Sequence, residues 1–538
     1  MTASGPEHLI IAPVLIPFLA GALMLVYDER QKRAKLTISL LSVVATLLVA
    51  MELLVRAKSG HIGFYLLGDW AARFGIVLVV DRLSAMMLVL TGLLALPALV
   101  YSAAAWHRQG QHFHSMFQFL LMGLNGAFLT GDLFNLFVFF EVLLAASYGL
   151  LLHGGGQLRV RAGLHYIAIN LTGSLLFLIG VSLIYGATGT LNMAHLSTLV
   201  SVLSEPQRVL FQAGAAIMGI AFLIKAGIWP LSFWLPTAYM AGAAPVAAMF
   251  AIMTKVGVYV LIRVGFLLFG VHAGASAGFG STVLVAGGMA TVTFGFLGVL
   301  ASQGLGRMAA HLVLVSSGTV LAAAGFVLAG GGSGILAAAL FYLLSSTLAT
   351  SALFLLIEPM SREEGGIAAM LALTADAYGL DEREEDRQPE VGLAIPGTLS
   401  ILGLSFIACV IALAGLPPLS GFIGKIGLLQ GLLAERAVAP VLAWGFVTLL
   451  VVSGLATLIG LVRIGIQTFW VGDSDPPQVL ALEIAPVLAL VGLLVLLTVK
   501  GEVTLRYMER TAGAIVASSV YAQGVLGAPR AEEAESGE

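Results

Sequence analysis

Stretches of about twenty apolar residues recur along the chain, separated by short polar punctuation, from His8 almost to Lys500. Fourteen such runs occur, at 8–27, 36–56, 78–105, 113–130, 133–153, 162–186, 209–229, 243–270, 282–301, 307–329, 334–357, 398–416, 441–470 and 483–500. An α-helix needs about 20 apolar residues to cross the hydrocarbon of a bilayer. The pattern therefore predicts an all-α polytopic membrane protein with about 14 transmembrane helices.

Two further apolar pieces, near 231–240 and 422–433, follow prolines. Pro230 in one place, and Pro417 with Pro418 in the other, lie inside otherwise helical patterns. Proline removes a backbone donor and clashes one turn back, so both places predict broken helices. Pro230-Leu-Ser-Phe-Trp and Pro418-Leu-Ser-Gly-Phe share a tripeptide and a nearby aromatic residue. Paired interruptions in corresponding halves of a transporter point to an ion site. The alternative is two ordinary proline kinks with a chance tripeptide.

Composition supports the membrane reading. The 538 residues are 59% hydrophobic and 10% charged, with a mean hydropathy of +1.00, whereas soluble domains carry about 25% charged residues. Nine of the 29 acids fall between Ser361 and Val391 and four in the last seven residues, so these two stretches read as aqueous. The first is read as a solvated linker. Basic residues set the orientation. Loop 28–35, Arg108, Arg159 with Arg161, Arg307 and the acidic loop hold eleven of them on one side, against five or six opposite. That side is expected to be cytoplasmic, with both termini outside. The first run lacks a basic flank and a small-residue cleavage site, so it is expected to be retained as a membrane helix. A single cysteine, Cys409, excludes a disulfide framework and any cysteine-ligated cluster held by this chain alone. No metalloprotease, redox, nucleophile-elbow or phosphate-loop motif occurs in credible context, and no basic aromatic patch suggests nucleic acid.

A few ionisable residues lie inside the apolar runs. Glu141 sits about nine residues into GDLFNLFVFFEVLLAAS, Lys225 just before Pro230, Lys255 mid-run, His311 in RMAAHLVLVSSG, and Lys425 just after the second break. A charged group at mid-membrane costs at least about 2.5–3.5 kcal/mol on insertion scales, so four sum to roughly 10 kcal/mol without compensation. Such residues face partners or water, and are functional candidates by default. Glu141 is the one mid-run carboxylate, and Lys225 is expected to meet it. A buried acid–base pair stands between two charge states, because burial disfavours charge and the partner restores it. Lys255 and Lys425 have no evident acidic partner. Structural ion pairing or snorkelling is the competing reading for each, and His311 could lie near the interface, four residues beyond Arg307. Arg263 and Arg463 lie near run ends and are expected to snorkel. Glu52 and Arg56 are spaced as a helical pair.

GDLFNLFVFFEVL, IKAGIWPLSFWLPTAYMAGAAPVAAMFAIMTKVGVYVLIR and GLPPLSGFIGK together resemble the proton-conducting antiporter-like membrane subunits. That family spans the large membrane subunits of respiratory complex I and the Mrp-type (Pha, Mnh) multisubunit cation/proton antiporters. The resemblance covers nearly the whole chain and is strongest to the Mrp-type branch. Complex I relatives carry a histidine and a lysine on the helix matching 334–357, where Ser345 and Thr350 stand here, which argues against a complex I component. The resemblance implies two inverted five-helix repeats, at 113–270 (helices 4–8) and 282–470 (helices 9–13, with loop 361–391). Segments 1–112 (helices 1–3) and 483–538 (last helix and acidic tail) flank them. It implies proton translocation along Glu141, Lys225, Lys255 and Lys425, with Glu141 and Lys225 expected to act as a gate, while the departure at Ser345 and Thr350 shifts the expected central link to His311. It implies no nucleotide, metal or redox cofactor.

The resulting expectation is a proton-translocating subunit of a multisubunit Na+ or K+/proton antiporter, a secondary transporter in the bacterial inner membrane, with the other subunits as partners. The alternative is a proton-pumping subunit of a complex I-like NADH:quinone or hydrogenase-linked oxidoreductase. A third reading is a membrane scaffold without conduction.

Overall fold

A computed structural model describes residues 8–361, 397–470 and 479–528. Each of the fourteen apolar runs is helical. In chain order the helices are α1 (Ala12–Val26), α2 (Lys32–Lys58), α3 (Arg82–Ser102), α4 (Phe113–Leu129), α5 (Leu133–Leu152), α6 (Gln157–Thr188), α7 (Met193–Leu199), α8 (Glu205–Ala226), α9 (Trp234–Ala241) and α10 (Ala244–Phe269). They continue as α11 (Ser281–Ala301), α12 (Leu305–Leu328), α13 (Ser333–Ser361), α14 (Gly397–Ala414), α15 (Ser420–Ala434), α16 (Pro440–Trp470), α17 (Ala481–Val499), α18 (Gly501–Val516) and α19 (Ser519–Leu526). Among the described residues, eleven helices are long and apolar enough to cross a membrane, α1 and α14 are shorter apolar helices, and α4 spans 17 residues. The protein is a multi-pass membrane protein.

Three sequence expectations need amendment. The third run begins later than Leu78, because Val77–Val80 pairs antiparallel with Gly63–Leu66 as a hairpin, β2 on β1. β-Branched residues suit a pleated strand, and Asp81 then starts α3 by capping it. Its carboxylate accepts from the Ser84 amide at 2.9 Å, and the Ser84 hydroxyl accepts from the Asp81 amide at 2.9 Å. The second amendment is that residues after Lys500 are not simply an acidic tail: 501–516 and 519–526 are helices. The acids of the last seven residues and nearly all of loop 361–391 lie outside the described residues. The third concerns Arg263. It does not snorkel, but is buried and holds both carboxylate oxygens of Asp81 at 2.6 Å, with Tyr521 of α19 beneath its guanidinium. Thus the hairpin, α3, α10 and the C-terminal helices are joined at one end of the bundle. Arg463 is half-buried and donates to the Ser302 carbonyl, while Glu52 and Arg56 form the expected pair at 2.8 Å.

The centre of the bundle is α10, α12 and α13, whose residues are almost all buried. α13 touches α10, α12, α14, α15, α17 and α18. At its far end Glu358 accepts from the Trp106 indole at 2.7 Å and the Ala244 amide at 2.9 Å, fixing α13 to the start of α10.

At the α1–α2 turn, Glu29 accepts from Lys35 at 2.6 Å and Lys32 at 3.1 Å. Burial alone would raise the Glu29 carboxyl, but the hydrogen bonds from Lys35, Lys32 and the His112 amide outweigh it and hold it lowered to about 2. A depressed carboxyl stabilises the fold above its unfolded value and loses that contribution as pH falls through the folded value. Thermal stability of the detergent-solubilised protein should therefore drop as pH falls from 4.5 toward 2, and less so in Glu29→Gln. Identical acid profiles would contradict this. Removing one partner of a buried ion pair costs about 3–5 kcal/mol. Arg263→Ala should lower stability by that order, whereas Glu52→Ala, at an exposed pair, should change it by less than about 1 kcal/mol. Equal effects would show that the Asp81–Arg263 tie carries no special weight.

Candidate proton path

The two helix breaks are built alike. Ala226-Gly227-Ile228-Trp229-Pro230-Leu231-Ser232 and Ala414-Gly415-Leu416-Pro417-Pro418-Leu419-Ser420 share the order A-G-x-x-P-L-S. In both, the first half-helix ends at alanine and the glycine takes a left-handed conformation, with φ of 72° at Gly227 and 77° at Gly415. Glycine ends a helix this way without a Cβ penalty. The proline then prevents resumption until α9 or α15. The C-terminal carbonyls of each first half-helix are left without helical partners and carry partial negative charge.

A lysine stands at each break, by different routes. Lys225 lies in the last turn of α8, before the break. Lys425 lies on α15, after the break, and reaches back to donate to the carbonyls of Ala414 at 2.8 Å and Leu413 at 3.3 Å. An ammonium at a helix C-terminus is favourably placed. Lys425 also borders a cavity of about 300 Å³ with Gly415 and Gly454.

Glu141 and Lys225 are close without touching. Asp132 caps α5 by accepting from the Phe134 and Asn135 amides at 2.8 and 2.9 Å, which fixes where Glu141 falls on the helix. The Glu141 carboxylate lies within electrostatic range of Lys225. Yet Lys225 Nζ and Glu141 Oε1 are both buried without a hydrogen-bond partner. The expected direct contact is therefore not closed in this structure. The Lys225 ammonium instead lies 5.5 Å from the Phe140 ring centre and 5.8 Å from that of Tyr166. Phe140, Phe177 and Phe222 pack edge to face beside it. The phenylalanines around Glu141 thus form an apolar wall.

Lys255 has hydroxyl partners. Its Nζ donates to Ser316 Oγ at 2.9 Å and Ser317 Oγ at 3.0 Å on α12. Ser316 Oγ is 2.7 Å from Ser346 Oγ on α13. The adjacent residue, Ser345, is 2.8 Å from Ser420 Oγ, the first residue of α15. All five serines are buried. Neutral hydroxyls thus run from Lys255 across α12 and α13 to the second break, interrupted between Ser346 and Ser345. In the sequence Ser345 is notable only as an absence of charge. Its partnership with Ser420 carries no local signal, since the two are 75 residues apart.

Gly257 lets the first break approach α10, because a Cβ there would lie 2.7 Å from the Ala226 amide nitrogen. This seats Lys225 and Lys255 on adjoining elements. His311 stands aside. Its Nδ1 contacts the Arg307 carbonyl at 2.9 Å, and its ring packs on Phe294 and against Gly298 of α11. Five residues separate it from Ser316, so at about 100° per residue it points to a different side of α12 from the serine string. The site residues otherwise gather in two groups, Glu141 with Lys225 and Lys255 with the serines, while Lys425 holds the second break.

Known proteins share this architecture. The family described as NADH:quinone oxidoreductase/Mrp antiporter, TM, matches residues 130–452, which include both breaks and Lys225, Lys255 and Lys425. A probable K(+)/H(+) antiporter D subunit from Rhizobium meliloti (strain 1021) is 55% identical and is matched over 98% of each chain. The D subunit of the Na(+)/H(+) antiporter of Alkalihalophilus pseudofirmus is 33% identical over 97% of this chain and 99% of that one. A chain in the structure of the Mrp complex from Dietzia sp. DQ12-45-1b superposes with a TM-score of 0.81 at 26% identity, over 97% of this chain and 100% of that one. By sequence and by shape, the chain belongs to the NADH:quinone oxidoreductase/Mrp antiporter transmembrane family.

Proposed function

We propose that this chain is the proton-translocating component of a multisubunit monovalent cation/proton antiporter, working with partner subunits in the bacterial cytoplasmic membrane. The relatives named for K(+)/H(+) and Na(+)/H(+) antiport support this. The observation that carries the mechanism is the hydrogen-bonded string from Lys255 through Ser316 to Ser346, followed by Ser345 and Ser420 at the break held by Lys425.

A lysine ammonium is a donor, and a serine hydroxyl both donates and accepts. A hydroxyl passes a proton by accepting one on its lone pair while releasing its own to the next acceptor, so it ends neutral. In this reading Glu141 and Lys225 form the gate, caught here apart. When they approach, Glu141 stabilises the charge on Lys225; when they separate, the apolar wall disfavours that charge and the proton moves on toward Lys255. The step between the two faces of α13, from Ser346 to Ser345, requires a bridging water in this reading. His311 lies off this line and takes no transfer step. The two five-helix repeats expected from the sequence are supported by the matching A-G-x-x-P-L-S breaks.

In everted vesicles, Glu141→Gln and Lys225→Ala should each nearly abolish cation-driven proton movement while the complex still assembles. Full antiport in both variants overturns the gate. Ser346→Ala removes one hydroxyl from the string. A hydrogen bond is worth about 0.5–1.5 kcal/mol net, so antiport should slow by about three- to tenfold, and Ser346→Thr should restore it. An unchanged rate in Ser346→Ala would place the path elsewhere and leave the gate standing.

A further inference from the structure

Away from the lysine path, a groove of about 500 Å³ opens between α2, α3 and α17, with α13 as its floor and α18 across one end. Its walls are apolar, Leu54, Val55, Leu93, Leu493 and Leu497 among them, and Leu344 and Leu348 line its floor. Two lysines border it: Lys58, the last residue of α2, and Lys500, at the end of α17. No carboxylate lines it. Neither lysine is in an ion pair among the described residues, and both are exposed. The nearby Glu502 is engaged by Arg506. Val55 and Leu496 on the rim face outward, 67% and 53% exposed.

We propose that this groove binds an anionic phospholipid, with an acyl chain along the apolar walls and the headgroup phosphate between Lys58 and Lys500. A volume of about 500 Å³ accommodates an acyl chain, and two cations without an acid favour a negative headgroup. Each basic residue near a membrane surface strengthens attraction to anionic lipid, and apolar contact with the chain adds to it. The acyl chain would lie on the back of α13, against Leu344 and Leu348, close in sequence to Ser345 and Ser346. The lipid therefore seals that side of the central helix with hydrocarbon.

The test uses the intact antiporter complex reconstituted in phosphatidylcholine bilayers containing a minor fraction of phosphatidylglycerol, with Val55→p-benzoylphenylalanine as a photo-crosslinker. The expected result is a phosphatidylglycerol adduct enriched well beyond its share of the bilayer. The added changes Lys58→Gln and Lys500→Gln should weaken that preference by on the order of thirtyfold. Both lysines are exposed, and thermal unfolding verifies that the double variant is intact. Adducts in proportion to bilayer composition, with or without the lysines, overturn the proposal. A crosslink to another subunit in place of lipid overturns it as well, by making the groove a protein interface.

Discussion

An ammonium group inside a hydrocarbon slab has to be answered by something, and Lys225, Lys255 and Lys425, the three buried lysines within the apolar runs, are each answered differently. Lys425 binds the carbonyl end of a broken helix. Lys255 binds two serine hydroxyls. Lys225 has aromatic faces around it and a carboxylate nearby that it does not reach. Three different answers place the three ammonium groups in three different surroundings, and the fold is arranged to supply them. The helix breaks expose the carbonyls, α12 and α13 carry the hydroxyls to the centre, and the cap at Asp132 sets the height of Glu141.

The same requirement explains why the bundle is tied so firmly at its ends. The Asp81–Arg263 pair and the Glu358 contacts join segments far apart in sequence. They hold the frame from outside the cluster of buried mid-membrane lysines.

Much of this is legible in the sequence. Charge inside an apolar run is costly, and so Glu141, Lys225, Lys255 and Lys425 stand out. Proline in a helical pattern locates both breaks. The serine string is not legible, because neutral hydroxyls are common in membrane helices and bond to their own backbone. Only the packing of α12 on α13 makes Ser316 and Ser346 neighbours. The burial of Arg263 is hidden because its partner Asp81 is 182 residues away. The hairpin is hidden because Val77–Val80 is as apolar as the helix after it, and periodicity does not separate a short buried strand from a helix start. His311 stands out by its chemistry, but its position around α12 depends on which neighbour each face of that helix meets.

The placing of Lys425 has a mechanical side. Its side chain begins on one half-helix and its ammonium grips the end of the other, so it acts as a clasp across the interruption. The clasp holds by donating protons to carbonyls, and a neutral amine has fewer to give and no charge to attract them. Lys225 has no such grip, since it lies on the half-helix before the break and its Nζ has no hydrogen-bond partner. A change of charge at the second break therefore alters how tightly two pieces of backbone are held, whereas at the first it alters only a side chain's surroundings. Sequences that look like copies of one another, A-G-x-x-P-L-S twice over, would then serve as a loose joint and a latched one within a single chain.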